Sequence, residues 1–136
     1  ARAALEEVPG TRPLLVAVTV LTSLSEDDLT MQGILCSPAE QVLRLAEMTS
    51  EAGLDGVVCS AAETPLLRER FGGGFVLLTP GIRRTKDARG DQKRVVGPAE
   101  ALAMGSTYLV VGRPITQAAS PARALREFNS AAAGDC

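Results

Sequence analysis

Four short runs of apolar and β-branched residues begin near Leu14, Gly56, Phe75 and Thr107, a mean spacing of roughly 31 residues, with helical patterns between them. That recurrence confines the chain to parallel β/α architecture, because parallel neighbours need a crossover long enough to hold a helix. The first run, Leu14-Leu15-Val16-Ala17-Val18-Thr19-Val20-Leu21, shows no polar alternation and predicts a strand covered on both faces. Gly56-Val57-Val58-Cys59, Phe75-Val76-Leu77-Leu78 and Tyr108-Leu109-Val110-Val111 supply the other three. A closed eight-fold barrel and an open doubly wound sheet both accommodate this period, so spacing alone leaves the two open.

The punctuation between strands is specific. Ala1 to Val8 is rich in Ala, Leu and Glu and stops at Pro9-Gly10, as a helix C-terminus does. Ser37-Pro38-Ala39-Glu40 combines a capping hydroxyl, a proline in the first turn and an acid three residues on, predicting a helix through Ala52 that Gly53 ends. Ser23 to Gln32 reads as a polar connection. Further helices are expected over Glu63–Arg70, Pro98–Met104 and Pro121–Phe128, with a fraying tail beyond.

Several chemistries are excluded by composition. With 136 residues and no histidine, the chain has no Ser-His-Asp or Cys-His relay and no imidazole metal ligand. Cys36, Cys59 and Cys136 are too widely spaced for a zinc or dithiol pair, which points to a reducing, cytoplasmic setting. No run approaches the ~18 apolar residues of a membrane helix, and Glu6 and Glu7 interrupt any leader-like start. A net charge of −2 and few aromatics argue against nucleic acid. Cys59, ending a strand with no base to activate it, reads as a small core residue.

Residues just past the carboxyl ends of parallel strands share one face of the sheet. Here they are Thr22 and Ser23, Ser60, Thr79-Pro80-Gly81-Ile82-Arg83, and Gly112-Arg113-Pro114. A glycine that admits a close backbone approach, a helix start and a guanidinium suit a phosphate; the plainer reading of Gly112-Arg113-Pro114 is a tight turn beside a solvated arginine. Between Arg83 and Arg94 six basic residues face only Asp87 and Asp91, concentrating positive charge in a loop long enough to close over an anionic ligand. The plainer reading of that loop is an exposed charged connection.

These residues resemble a known family, the orotidine 5′-phosphate decarboxylases of the shorter bacterial type. The matching blocks, in order, are Val18-Thr19-Val20-Leu21-Thr22-Ser23, Gly56-Val57-Val58-Cys59-Ser60-Ala61, Leu78-Thr79-Pro80-Gly81-Ile82-Arg83, Gly90-Asp91-Gln92-Lys93-Arg94 and Tyr108-Leu109-Val110-Val111-Gly112-Arg113-Pro114-Ile115-Thr116-Gln117. The resemblance implies an α/β fold, a (β/α)8 TIM barrel, of which residues 1–136 supply the last four units as the carboxyl-terminal half of a single domain. It implies a cofactor-free, metal-free lyase that converts orotidine monophosphate to uridine monophosphate and carbon dioxide, working as a homodimer. Carried over by motif, Thr22 contacts the ligand beside the pyrimidine, Arg83 approaches the phosphate, Gln92 bridges phosphate and base, and Gly112 and Arg113 bind the phosphate. Ser23 and Pro80 are additional contacts.

One departure stands out. The family's Asp-x-Lys-x-x-Asp signature is absent; Asp91-x-Lys93-x-x-Val96 imitates its start but lacks the second aspartate. No catalytic residue is therefore expected in this chain, which on its own is expected to be inactive and not to behave as a stable monomer. Two other readings remain at this stage: a non-catalytic fragment that binds nucleotide phosphates, and a sibling barrel acting on sugar phosphates, such as a hexulose-phosphate synthase relative. Thr22 and Gln92 favour the nucleotide pattern over the sugar-phosphate one.

Overall fold

The computed structural model describes residues 2–7, 9–84 and 96–134. Its elements follow in chain order as α1 (Arg2–Glu6), β1 (Val16–Val18), α2 (Glu26–Met31), α3 (Pro38–Glu51), β2 (Gly56–Val58), α4 (Thr64–Phe71), β3 (Val76–Thr79), α5 (Pro98–Ala103), β4 (Tyr108–Leu109), α6 (Arg113–Thr116) and α7 (Pro121–Ala133). A 3-10 turn, Ala61–Glu63, leads into α4. The four strands form one parallel sheet in the order β1-β2-β3-β4, so each crossover returns the chain beside the strand it left.

Register explains which side chains meet. Val18, Val58, Leu78 and Tyr108 are successive partners across the sheet and so lie in one row on one face. The opposite parity, Val57 and Leu77, is fully buried together with Val42 and Ala46 of α3, Leu67 of α4 and Leu29 of α2. A second cluster joins Ala61, Ile82, Ala101 and Phe128 beneath α5 and α7. The expectation that the first strand is covered on both faces does not hold in this chain: Val18 is 59% exposed. The helices cover one face of the sheet, and the face carrying Val18 meets no second layer among the described residues.

Local chemistry accounts for the element ends. The Ser37 hydroxyl accepts from the Glu40 N–H at 3.3 Å while the Glu40 carboxylate accepts from the Ser37 N–H at 2.9 Å, the reciprocal cap expected for α3. The same device opens α2, where Ser25 and Asp28 cap each other; the stretch read as a plain polar connection contains a helix. At Gly56 a Cβ would collide with the Val76 carbonyl of β3, so only glycine fits that point of β2.

At the amino ends of the strands, Arg68 of α4 acts as a hub. Its guanidinium donates to the carbonyls of Gly105, Gly72 and Phe75 and to the Thr107 hydroxyl. That hydroxyl in turn accepts from the Leu77 N–H at 3.0 Å. One cation thus satisfies the end of α4, the turn after α5 and the entries to β3 and β4. At the same edge, beside β1 and β2, Asp55 accepts from the Leu15 N–H at 2.7 Å and from Arg12 at 2.6 Å, fixing the approach to β1 against that to β2. The Leu15 backbone bond, and then Arg12, hold the Asp55 carboxyl below its ordinary value.

Candidate functional site

The chain leaves each strand at the carboxyl edge of the sheet, and all four exits, Cys59 alone representing that of β2, border one cavity of about 320 Å³. Thr22 and Ser23 come from beyond β1, Pro80, Gly81 and Arg83 from beyond β3, and Gly112 and Arg113 from beyond β4. Its floor is hydrocarbon: Val18, Val20, Val58 and Val110. Six of the seven site residues expected from the sequence therefore border a single space. The seventh, Gln92, and the basic residues from Lys86 to Arg94 lie outside the described residues.

The two arginines differ in setting. Arg83 is 8% exposed, and its Nη1 donates to the Ile82 carbonyl at 2.8 Å, which bends the guanidinium back along its own strand exit. Its backbone N–H donates to the Val96 carbonyl at 3.1 Å, so residues 83 and 96 are held together. Arg113 is exposed and opens α6 directly after Gly112. Because α6 is a single turn of four residues, the helix-dipole contribution expected after Gly112 is small, and positive potential comes from the two guanidiniums. Its two chain neighbours apart, no described residue has an atom within 4 Å of where a Gly112 Cβ would stand, so among the described residues the space beside its backbone is open.

Two hydroxyls expected at this edge do other work. The Thr79 side chain is fully buried and shares a hydrogen bond with Ser106 at 2.7 Å, on the helix-covered side of the sheet. Ser60 caps the 3-10 turn by accepting from the Ala62 N–H. Both residues are at strand ends, but their side chains satisfy backbone and core partners. Cys59 is 1% exposed and belongs to the main core, as its lack of an activating base suggests. Among the described residues no three His, Cys, Asp or Glu side chains gather as a metal-binding group.

Sequence reasoning missed a pair of contacts beside the cavity. Arg84 turns away from it: the guanidinium carbon lies 4.3 Å from the centre of the Phe128 ring, and Nη1 is 2.6 Å from Glu127 Oε2. Glu127 also pairs with Arg123 at 3.0 Å. The partners are 43 residues apart in the chain, so no local pattern announces them.

The sequence profile of the orotidine 5′-phosphate decarboxylase / HUMPS family matches residues 1–128. The chain belongs to this family. Among its relatives, orotidine 5′-phosphate decarboxylase of Photobacterium profundum is 55% identical over 129 residues, covering 95% of this chain and 56% of that protein. The enzyme of the same name from Neisseria meningitidis is 57% identical over 124 residues, covering 90% of this chain and 50% of its own length. The crystal structure of orotidine 5′-phosphate decarboxylase from Lactobacillus acidophilus superposes with a TM-score of 0.75 at 40% identity, over 91% of this chain and 51% of that one. The Pyrococcus horikoshii structure, at 21% identity and a TM-score of 0.63, shares the fold. The orotidine 5′-phosphate decarboxylase family therefore accounts for the parallel β/α sheet as part of a TIM barrel, and the chain spans about half the length of the relatives it matches.

Proposed function

We propose that residues 1–136 are the carboxyl-terminal half of a TIM-barrel orotidine 5′-phosphate decarboxylase and hold the nucleotide in place while the other half performs the chemistry. The observation that carries this reading is the convergence of Thr22, Ser23, Pro80, Arg83, Gly112 and Arg113 on one cavity, two arginines and four valines being among its lining. Arg83 and Arg113 take the phosphate with the Gly112 amide, and Thr22 and Gln92 meet the base side, with Ser23 and Pro80 beside them.

Such a grip is far from the reacting carbon. Its binding energy raises the rate only where it is spent on ordering the site around the transition state, while proton delivery and the electrostatic replacement of the departing carboxylate fall to the lysine and aspartates of the family signature. Those groups are not in this sequence. On this reading the complete enzyme is a cytoplasmic homodimer that uses no cofactor, and the exposed apolar row of this sheet is covered by the remaining strands of its own barrel.

The test is a calorimetric titration of the chain with uridine 5′-monophosphate, beside a carbon dioxide release assay with orotidine 5′-monophosphate. Binding without turnover is expected, with ribulose 5-phosphate a poor competitor. Turnover by the chain alone, or unchanged affinity in Arg83→Met and Arg113→Met together, overturns the division of roles.

A further inference from the structure

Arg83 and Arg84 are neighbours in the chain, yet their side chains serve different places. One borders the cavity; the other is built into the helical layer. Arg84 is 15% exposed at the side chain, its guanidinium stacked on Phe128, a core residue of α7, and paired with Glu127 of the same helix. A planar cation held by both a ring face and a carboxylate has few other orientations open to it. Since the Arg83 N–H is bonded to the Val96 carbonyl, the backbone at residues 83 and 84 is fixed from two directions.

We propose that Arg84 is a positioning residue: by docking on Glu127 and Phe128 of α7 it sets the backbone at the exit from β3 and thereby aims Arg83 at the cavity. The proposal rests on the reading of the cavity as a nucleotide phosphate site, and it makes α7, which lines no part of that cavity, a determinant of its affinity. Replacing Arg84 leaves every cavity-lining side chain in place while releasing the stem on which one of them stands. Lysine keeps the charge toward Glu127 but not the planar stack, so it restores the effect only in part.

The experiment has two readouts on the full chain and its Arg84→Met, Arg84→Lys, Glu127→Gln and Arg123→Met variants. The first needs no ligand: amide hydrogen exchange at the Arg83 N–H, referenced to the Cys59 N–H, which is bonded to the Leu78 carbonyl in the neighbouring strands. The second is the dissociation constant for uridine 5′-monophosphate, with inorganic phosphate as a second probe. Expected are about tenfold faster exchange at Arg83 alone and about tenfold weaker nucleotide binding in Arg84→Met, a smaller change in Arg84→Lys, and none in Arg123→Met. Glu127→Gln should follow Arg84→Met and serves in its place if that variant misfolds. Unchanged Arg83 exchange, exchange that rises equally at Cys59, or unaltered nucleotide affinity despite faster Arg83 exchange overturns the positioning role. Absence of nucleotide binding by the unmodified chain instead overturns the phosphate reading, and the exchange measurement still judges the Arg84 anchor.

Discussion

The hydroxyls of Thr79 and Ser106 lie 2.7 Å apart, and Thr79 is fully buried. They tie the end of β3 to the turn between α5 and β4, just below the exit that carries Arg83. Replacing one partner strands the other. Thr79→Val should cost about 1–3 kcal/mol, whereas Thr79→Val combined with Ser106→Ala should cost less than the single change, because no buried polar group is then left unmatched. Urea denaturation of the two variants checks the order.

Gly56 of β2 pairs with Val76 of β3. A Cβ there runs into the backbone carbonyl of Val76, which cannot rotate aside as a side chain could. Gly56→Ala should therefore destabilise the sheet by about 1–3 kcal/mol, through separation of two central strands. Thermal unfolding followed by circular dichroism reads the loss; an unchanged midpoint would show that the strands have room to part.

Asp55 is held below its ordinary value of 3.8 by the Leu15 N–H and Arg12. A carboxyl whose folded value is depressed contributes stability above its unfolded value, and that contribution is lost as pH falls through the lower folded one. Stability should drop on acidification below about pH 4, and Asp55→Asn should remove part of that slope while lowering stability near neutrality. Denaturation midpoints measured from pH 7 down to about pH 2.5 in both proteins give the comparison.

Nucleotide binding should follow the charge of the ligand's phosphate. The chain has no histidine, so no imidazole titrates near neutrality, and the second ionisation of a phosphate monoester falls near pH ~6. Uridine 5′-monophosphate should bind more weakly as the dianion is lost below that point. Arg113→Met, at the exposed rim, should weaken binding about tenfold and flatten both its pH and its salt dependence. Calorimetry at several pH values and ionic strengths measures each effect.

The strands and the main helices were legible because each rests on a local signal: an apolar run, a Ser-x-x-Glu cap, a proline in the first turn. The helix α2 carried the same kind of signal in Ser25 and Asp28, but Glu26 and Asp27 between them hid it behind the appearance of a polar linker. The last helix runs beyond the expected Phe128 to Ala133, because the alanine-rich tail favours helix and Gly134, at φ 78°, ends it. Strand ends told which residues gather at the cavity, yet not which way Ser60 and Thr79 turn, since their partners, Ala62 and Ser106, are chosen by backbone geometry and core packing. The stacking of Arg84 on Phe128 belongs to tertiary structure alone.

Arg68 gives the molecule a keel. By gathering the carbonyls of Gly72, Phe75 and Gly105 at the amino edge of the sheet, it holds the entries to β3 and β4 in line from the edge opposite the cavity. Cavity-lining positions such as Ser23 or Pro80 take no part in that tie, and the pocket's appetite for one anion over another is open to retuning by substitution there while Arg68 keeps its hold beneath.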